Sequence, residues 1–91
     1  MNLLFEWDKE KSITNIKKHR VTFEEASSVF GDPLSLTIDD PKSYSSEERF
    51  ITIGLSLLGN ILVVVHTDRD DKIRIISARK AMKKEYKQYE K

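Results

Sequence analysis

The run Ile61-Leu62-Val63-Val64-Val65-His66-Thr67 leaves this chain few folds to choose from. β-Branched side chains lose rotamer freedom in a helix and pack well on a pleated surface, so the segment reads as a strand. As the most apolar run in the chain it reads as the central strand. It needs partners on both edges, and its neighbours supply them at short range. Leu58-Gly59-Asn60 is a tight connection from a strand spanning Arg49 to Leu57, and Asp68 to Asp71 is a turn into a strand from Lys72 to Ser77. Strands joined in succession by short turns form an antiparallel meander. Upstream, Leu34-Ser35-Leu36-Thr37-Ile38 alternates with the period of a half-buried strand. Asp39 to Glu48 is polar and reads as a loop long enough to be functional.

Ahead of Pro33 the period is helical. Thr22 at the N-cap and Glu25 at N3 form a capping box, with Val21 and Ala26 at the staple positions. Phe23, Ala26, Val29 and Phe30 make the buried stripe, and Gly31-Asp32-Pro33 stops the helix. Asp8 caps an earlier helix running to about Lys18, with Ile13 and Ile16 as its apolar face and Trp7 anchoring its start. Asn2 to Trp7 is a short strand, Leu4 and Glu6 facing one way and Leu3, Phe5 and Trp7 the other. After the meander, Ser77 caps a basic helix in which Ala78, Ala81, Met82 and Tyr86 recur at helical spacing. The expected class is α+β: a small antiparallel sheet, in β-α-α-β-β-β-α order, with helices packed on one face. Ninety-one residues suit a single domain, 1–91.

No apolar run approaches the ~20 residues of a membrane-spanning helix, so no membrane is expected as partner. MNLLFEWDKEK has no basic segment before its apolar residues and no small-residue cleavage site, so a secretory signal is not expected. Cysteine is absent, which excludes disulfides and thiolate metal sites and fits a reducing, cytoplasmic setting. There is no P-loop, dinucleotide fingerprint or nucleophile elbow, and neither histidine has a ligand partner at i+4, so neither cofactor nor metal is expected. The net charge of +1 conceals a polarity: Lys72 to Lys91 holds eight Lys/Arg against two acidic residues, while Glu24 to Glu48 holds seven acidic residues against Lys42. A concentrated basic end suits a polyanionic partner, although a helix that merely keeps the surface solvated gives the same count.

Arg74 is the odd residue of its strand. An unpaired guanidinium is costly to bury, so it needs solvent, a carboxylate such as Glu47 or Glu48, or a bound anion. With the hairpin turn centred on Asp70, His66 stands opposite Arg74 with Cβ atoms about 5 Å apart, and the cation lowers the imidazole pKa. A one-residue slip instead puts the two on opposite faces; a strand-end histidine near solvent is the plainer alternative. Arg79, in the first turn of the expected last helix, lies at the positive end of a helix dipole, where a bound phosphate is favourable. Arg49 opens another strand, and arginine suits bidentate recognition of phosphate. Together the three are expected to clamp phosphate on one sheet face. Lys18 and His19 form a second basic cluster at an ordinary helix C-terminus. Tyr86 and Tyr89 are expected to face the sheet edge, one as core and one as a base-stacking surface.

These residues fall into a recognisable set. Phe5-Glu6-Trp7-Asp8, Lys11, Asn15, Lys18-His19, Val21, Phe23-Glu24-Glu25-Ala26, Val29-Phe30 and Asp32-Pro33 resemble the N-terminal half of BrnT toxins. Glu48-Arg49, Gly54, Val64-Val65-His66-Thr67, Arg74-Ile75-Ile76-Ser77-Ala78-Arg79, Glu85 and Tyr89 resemble the second half. The FEWD, DP and RIISAR segments in this order make the resemblance specific, and it runs from about Phe5 to Tyr89. Arg20 departs from it, standing where the family usually has glycine after Lys-His.

The resemblance implies a ribonuclease toxin of a type II toxin–antitoxin pair, with a fold similar to RelE toxins. It also implies a BrnA-like antitoxin that binds both the toxin and an operator, so that DNA is met only through the antitoxin and the complex represses its own operon. On this reading the chain is a metal-independent endoribonuclease that inhibits translation, with RNA as substrate. His66 would transfer the proton, Arg74 and Arg79 would hold the scissile phosphate, and Arg49, Lys18, His19 and Tyr86 would bind the RNA around it. The alternative is a non-catalytic nucleic-acid-binding or adaptor module, or a degenerate toxin, acting with a DNA-binding antitoxin in operon autorepression.

Overall fold

A computed structural model describes residues 3–42 and 47–90. In chain order the elements are β1 (Leu4–Trp7), α1 (Lys9–His19), α2 (Phe23–Ser28) with a 3-10 turn at Val29–Gly31, β2 (Leu36–Asp39), β3 (Phe50–Leu55), β4 (Ile61–Arg69), β5 (Lys72–Lys80) and α3 (Lys83–Glu90). The strands form one five-stranded sheet in the order β1-β5-β4-β3-β2, with β4 central as its apolar run requires. The class is α+β. The strand expected over Leu34–Ile38 forms as β2 and pairs antiparallel with β3, so the sheet has one strand more than the β-α-α-β-β-β-α order counts. It is also not wholly antiparallel: β1 runs parallel to β5, the two helices between them and the meander having returned the chain to the far edge. Of the loop expected from Asp39 to Glu48, residues 43–46 lie outside the described residues. No described helix is long and apolar enough to cross a membrane.

The helix caps form where the sequence places them. The Asp8 carboxylate accepts from the Glu10 and Lys11 amides, and the Thr22 hydroxyl accepts from the Glu25 amide. The Glu25 carboxylate does not complete the capping box; it turns away to accept from Ser56 and Asn60, tying α2 to the β3–β4 turn. Phe23, Ala26 and Val29 then pack on Leu62, Val64, Ile75 and Ala78, with Phe5, Trp7 and Phe30 around them. Gly54 lies under the 3-10 turn so closely that a Cβ there would stand 3.1 Å from those of Val29 and Ser35.

Two elements depart from the expected pattern. The apolar face expected on α1 is not buried: Ile13 and Ile16 are 47% and 42% exposed, and the helix buries Asn15 instead. The reason lies in the sheet edge. β1 ends opposite Ile75, so β5 beyond it has no strand partner on that side. The Asn15 amide fills the gap, donating to the Ala78 and Val21 carbonyls at 2.8 and 2.9 Å and accepting from the Ala78 amide at 3.1 Å. The second departure is the last helix, which starts at Lys83 rather than at Ser77. β4 is long enough to keep pairing through Leu62↔Lys80, and this ladder overrides the helical spacing of Ala78 and Ala81. The helix starts once Ala81 has made the last ladder-side bond, to the Ile61 carbonyl, and Glu85 accepts from the Met82 amide.

Nor do the helices share one face. Ile53, Ile61 and Val63 alternate along their strands with the residues under α2, and they pack with Ala81 and Tyr89 on the opposite side. α3 therefore lies across the second face, where Tyr89 donates to the Asp32 carboxylate at 2.5 Å.

Candidate functional site

The β4–β5 hairpin decides which side chains meet. Its turn holds two residues, Asp70 and Asp71, with Arg69 opposite Lys72 and Asp70 in the left-handed region at φ 54°. The register is thus one residue away from a turn centred on Asp70 alone. His66 stands opposite Ile75, and Arg74 stands opposite Thr67. The expected His66–Arg74 pair is therefore split between the two faces, the consequence a single slip carries with period two. Farther along, Val65 pairs with Ser77, which leaves Ile76 as the extra residue of a bulge.

His66 lies on the α2 side at 4% exposure. Its Nε2 is 2.8 Å from the Thr52 hydroxyl, which is in turn 2.8 Å from that of Thr37, so a chain of hydrogen bonds crosses β4, β3 and β2. Phe30 meets the ring edge-on at 4.9 Å and Phe50 lies 5.8 Å away. Burial lowers its pKa, opposed in part by Asp68; the cause is desolvation and not the neighbouring cation expected from the sequence. Nδ1 has no hydrogen-bond partner among the described residues.

Arg74 and Arg79 share the other face, since their β4 partners, Thr67 and Val63, are four residues apart. Arg74 pairs across the parallel edge with Glu6, Nη1 to Oε2 at 3.3 Å, while Glu47 pairs with Arg69. Arg79 belongs to β5 and not to the first turn of α3, so the helix-dipole setting expected for it does not arise. It forms a two-pronged contact with Glu85 at 2.8 and 2.7 Å. That hydrogen bonding raises the Arg79 pKa and lowers that of Glu85. At ~3.3 Å per residue the two arginine Cα atoms stand on the order of 15 Å apart, so the pair spans more than one phosphate.

Next to Arg79 the face opens into a groove of about 350 Å³ between β2, β5 and α3, with Ile51, Val63 and Val65 on its floor. Lys18 and His19 border a different groove, of about 400 Å³, between α1 and the bulge of β5. Ser77 borders both, so a path over the bulge connects the two basic regions. Arg49 precedes β3, and its carbonyl accepts from the Asp40 amide. Tyr86 is exposed on α3, whereas Tyr89 packs inward.

The arginines' partners, Glu6 for Arg74 and Glu85 for Arg79, differ from the Glu47 or Glu48 expected from the sequence. Glu6 was legible in part, because β1 alternation already turns it away from the core. Glu85 was not, since its pairing with Arg79 depends on where β5 ends. Among the described residues no group of three or more His, Asp or Glu stands together as a metal site.

The same architecture occurs in a crystal structure of the Brucella abortus ribonuclease toxin BrnT. The two chains are 22% identical, with 90% of this chain and all of that one covered at a TM-score of 0.65, a likeness of fold. No curated protein matches the chain. Residues 7–85 match the family model described as the ribonuclease toxin BrnT of type II toxin–antitoxin systems. The chain belongs to the BrnT family of ribonuclease toxins.

Proposed function

We propose that the protein cuts RNA on the α3-side face of its sheet, without a metal ion, and thereby inhibits translation in the cytoplasm. A BrnA-like antitoxin would silence it by covering that face and would supply the only link to DNA. The observation that carries this reading is the shared face: Arg74 and Arg79 flank Ser77 on β5 beside an open groove. Attack of a ribose 2′-hydroxyl on the adjacent phosphate builds charge on the non-bridging oxygens. Guanidinium groups held in place beforehand stabilise that charge without reorganising. Lys18 and His19 extend the cationic path across the bulge, with Arg49 as a supporting cation and Tyr86 as a stacking surface.

His66 meets this scheme from the wrong side of the sheet. Its ring is covered by Phe30 and bonded to Thr52, so in this arrangement it supports β3 and β4 rather than touching RNA. The assay is cleavage of end-labelled RNA in excess EDTA. Cutting should persist in the wild type and fall at least ~10²-fold in Arg74→Ala, with binding much less affected. A folded His66→Ala variant that binds RNA but no longer cuts would return His66 to the proton-transfer role.

One observation favours a second reading. Each arginine already has a carboxylate partner, as in a purely structural ion pair. A binding or adaptor module would then show salt-dependent RNA affinity without turnover.

A further inference from the structure

We propose that the groove between β2, β5 and α3 is a subsite for one unpaired nucleotide, its base on the aliphatic floor and its phosphate on the outer edge of Arg79. The inference rests on the reading that this face meets RNA, and it adds which part of the RNA is gripped and by what.

The floor is apolar because of strand alternation. Ile51 on β3 and Val63 and Val65 on β4 point to this side, and Ile38 on the edge strand forms a wall. Ala81, just before α3, and Tyr89 on it cover them only partly and leave about 350 Å³ open. That lies at the small end of ligand sites, roughly 300–1,000 Å³. Unpaired bases are held in such places between apolar side chains, whereas stacked duplex bases have no face to offer.

The apolar floor and the balance of charge suit a base inside the groove. Asp40 and Glu85 line it together with Lys42 and Arg79, so no net positive charge draws a phosphate onto the floor, while an uncharged base loses nothing there. The phosphate belongs at the rim with Arg79, and the geometry there is specific. A guanidinium has five N–H donors. Nη1 donates to Glu85 and to the Lys80 carbonyl, and Nη2 donates to the other Glu85 oxygen. Among the described residues two adjacent donors have no partner, Nε–H and the second Nη2–H, which form the side-on fork that takes two phosphate oxygens. Glu85 therefore acts as a positioning residue: it fixes the plane of the guanidinium and leaves one edge for the ligand.

The test uses an uncleavable 2′-O-methyl RNA tetranucleotide, the same oligonucleotide with one abasic position, and inorganic phosphate, followed by methyl NMR of the intact protein. The tetranucleotide should shift the methyl signals of Ile38, Ile51, Val63 and Val65, and the abasic form should bind about ten-fold more weakly, the scale of one stacked base. Gln88→Trp, an exposed change on α3 at the groove wall, should fill the site and reproduce that loss with thermal stability unchanged. The proposal is overturned if the floor methyls stay still while RNA binds, if the abasic form or phosphate alone binds as tightly, or if the tetranucleotide does not bind. The EDTA assay separates this from the nuclease reading. Floor shifts without cutting would remove the nuclease and keep the subsite; undiminished cutting by Gln88→Trp would do the reverse.

Discussion

On the α2 side of the sheet, Phe23, Ala26 and Val29 close over Leu62, Val64, Ile75 and Ala78, none more than 1% exposed. On the α3 side the same strands present Ile53, Ile61 and Val63, but the helix across them contributes no buried residue of its own. One face is sealed by a helix pair whose polar groups are satisfied internally, Asn15 and Glu25 above all. The other is held by an ion pair, a tyrosine hydroxyl and two side chains, Ala81 and Tyr89. The first face supplies the stability and the second has room for a ligand. Because the faces alternate along every strand, residues of the second can serve RNA without disturbing the packing of the first.

This contrast can be broken from either side. The largest effect should come from Asn15→Ala, which strips the edge of β5 of two hydrogen bonds and the Val21 carbonyl of a third, and leaves the Ala78 groups buried and unpaired. A loss of about 2–4 kcal/mol in chemical denaturation is expected. If Asn15→Ala costs under ~1 kcal/mol, the sealed face is not what holds the fold.

Acid probes the same face through His66. Its folded-state pKa is lowered by burial, so between that value and the ordinary 6.5 the unfolded chain binds the extra proton. The stability this contributes is present above pH ~6.5 and is lost as pH falls towards the depressed folded value, with a slope of at most ~1.4 kcal/mol per pH unit. Equilibrium unfolding from pH 7.5 to 5 should show that slope and lose it in a folded His66 variant. A wild type indifferent to pH over this range would mean that the ring is not buried neutral.

On the open face the effects should be smaller. Tyr89→Phe removes the bond to Asp32 and should cost about 1 kcal/mol, with α3 amides exchanging faster than those of α2. Equal exchange in the two helices would erase the distinction between the faces. The smallest effect belongs to the turn between α1 and α2. Arg20 holds φ 59°, where a side chain crowds its own backbone. Arg20→Gly should therefore raise stability by ~0.5–1 kcal/mol, measured as a shift of the denaturation midpoint.

How much was legible follows from range. The capping roles of Asp8 and Thr22, the stop at Gly31-Asp32-Pro33 and the central place of Ile61–Thr67 depend on neighbours a few residues away, and all appear where expected. The arginines of β5 were also visible as misfits, because a cation on a half-buried strand needs a partner. Ile13 and Ile16 misled because apolar spacing reports what a helix could bury and is silent on whether a sheet edge offers an unpaired amide in the same place. His66 misled because its partner was set by a turn of two residues rather than one.

By itself, then, the sequence determined most of the elements, the caps at Asp8 and Thr22, the central strand and the family, all of which are written in local pattern and in the order of short motifs. Only the tertiary structure decided that His66 and Arg74 lie on opposite faces, that Ser77 and Arg79 stay in β5, and that α3 crosses the side away from α2. These depend on register, on a bulge of one residue and on how far a strand finds a partner, and such long-range pairings leave no periodic trace in the chain that obeys them.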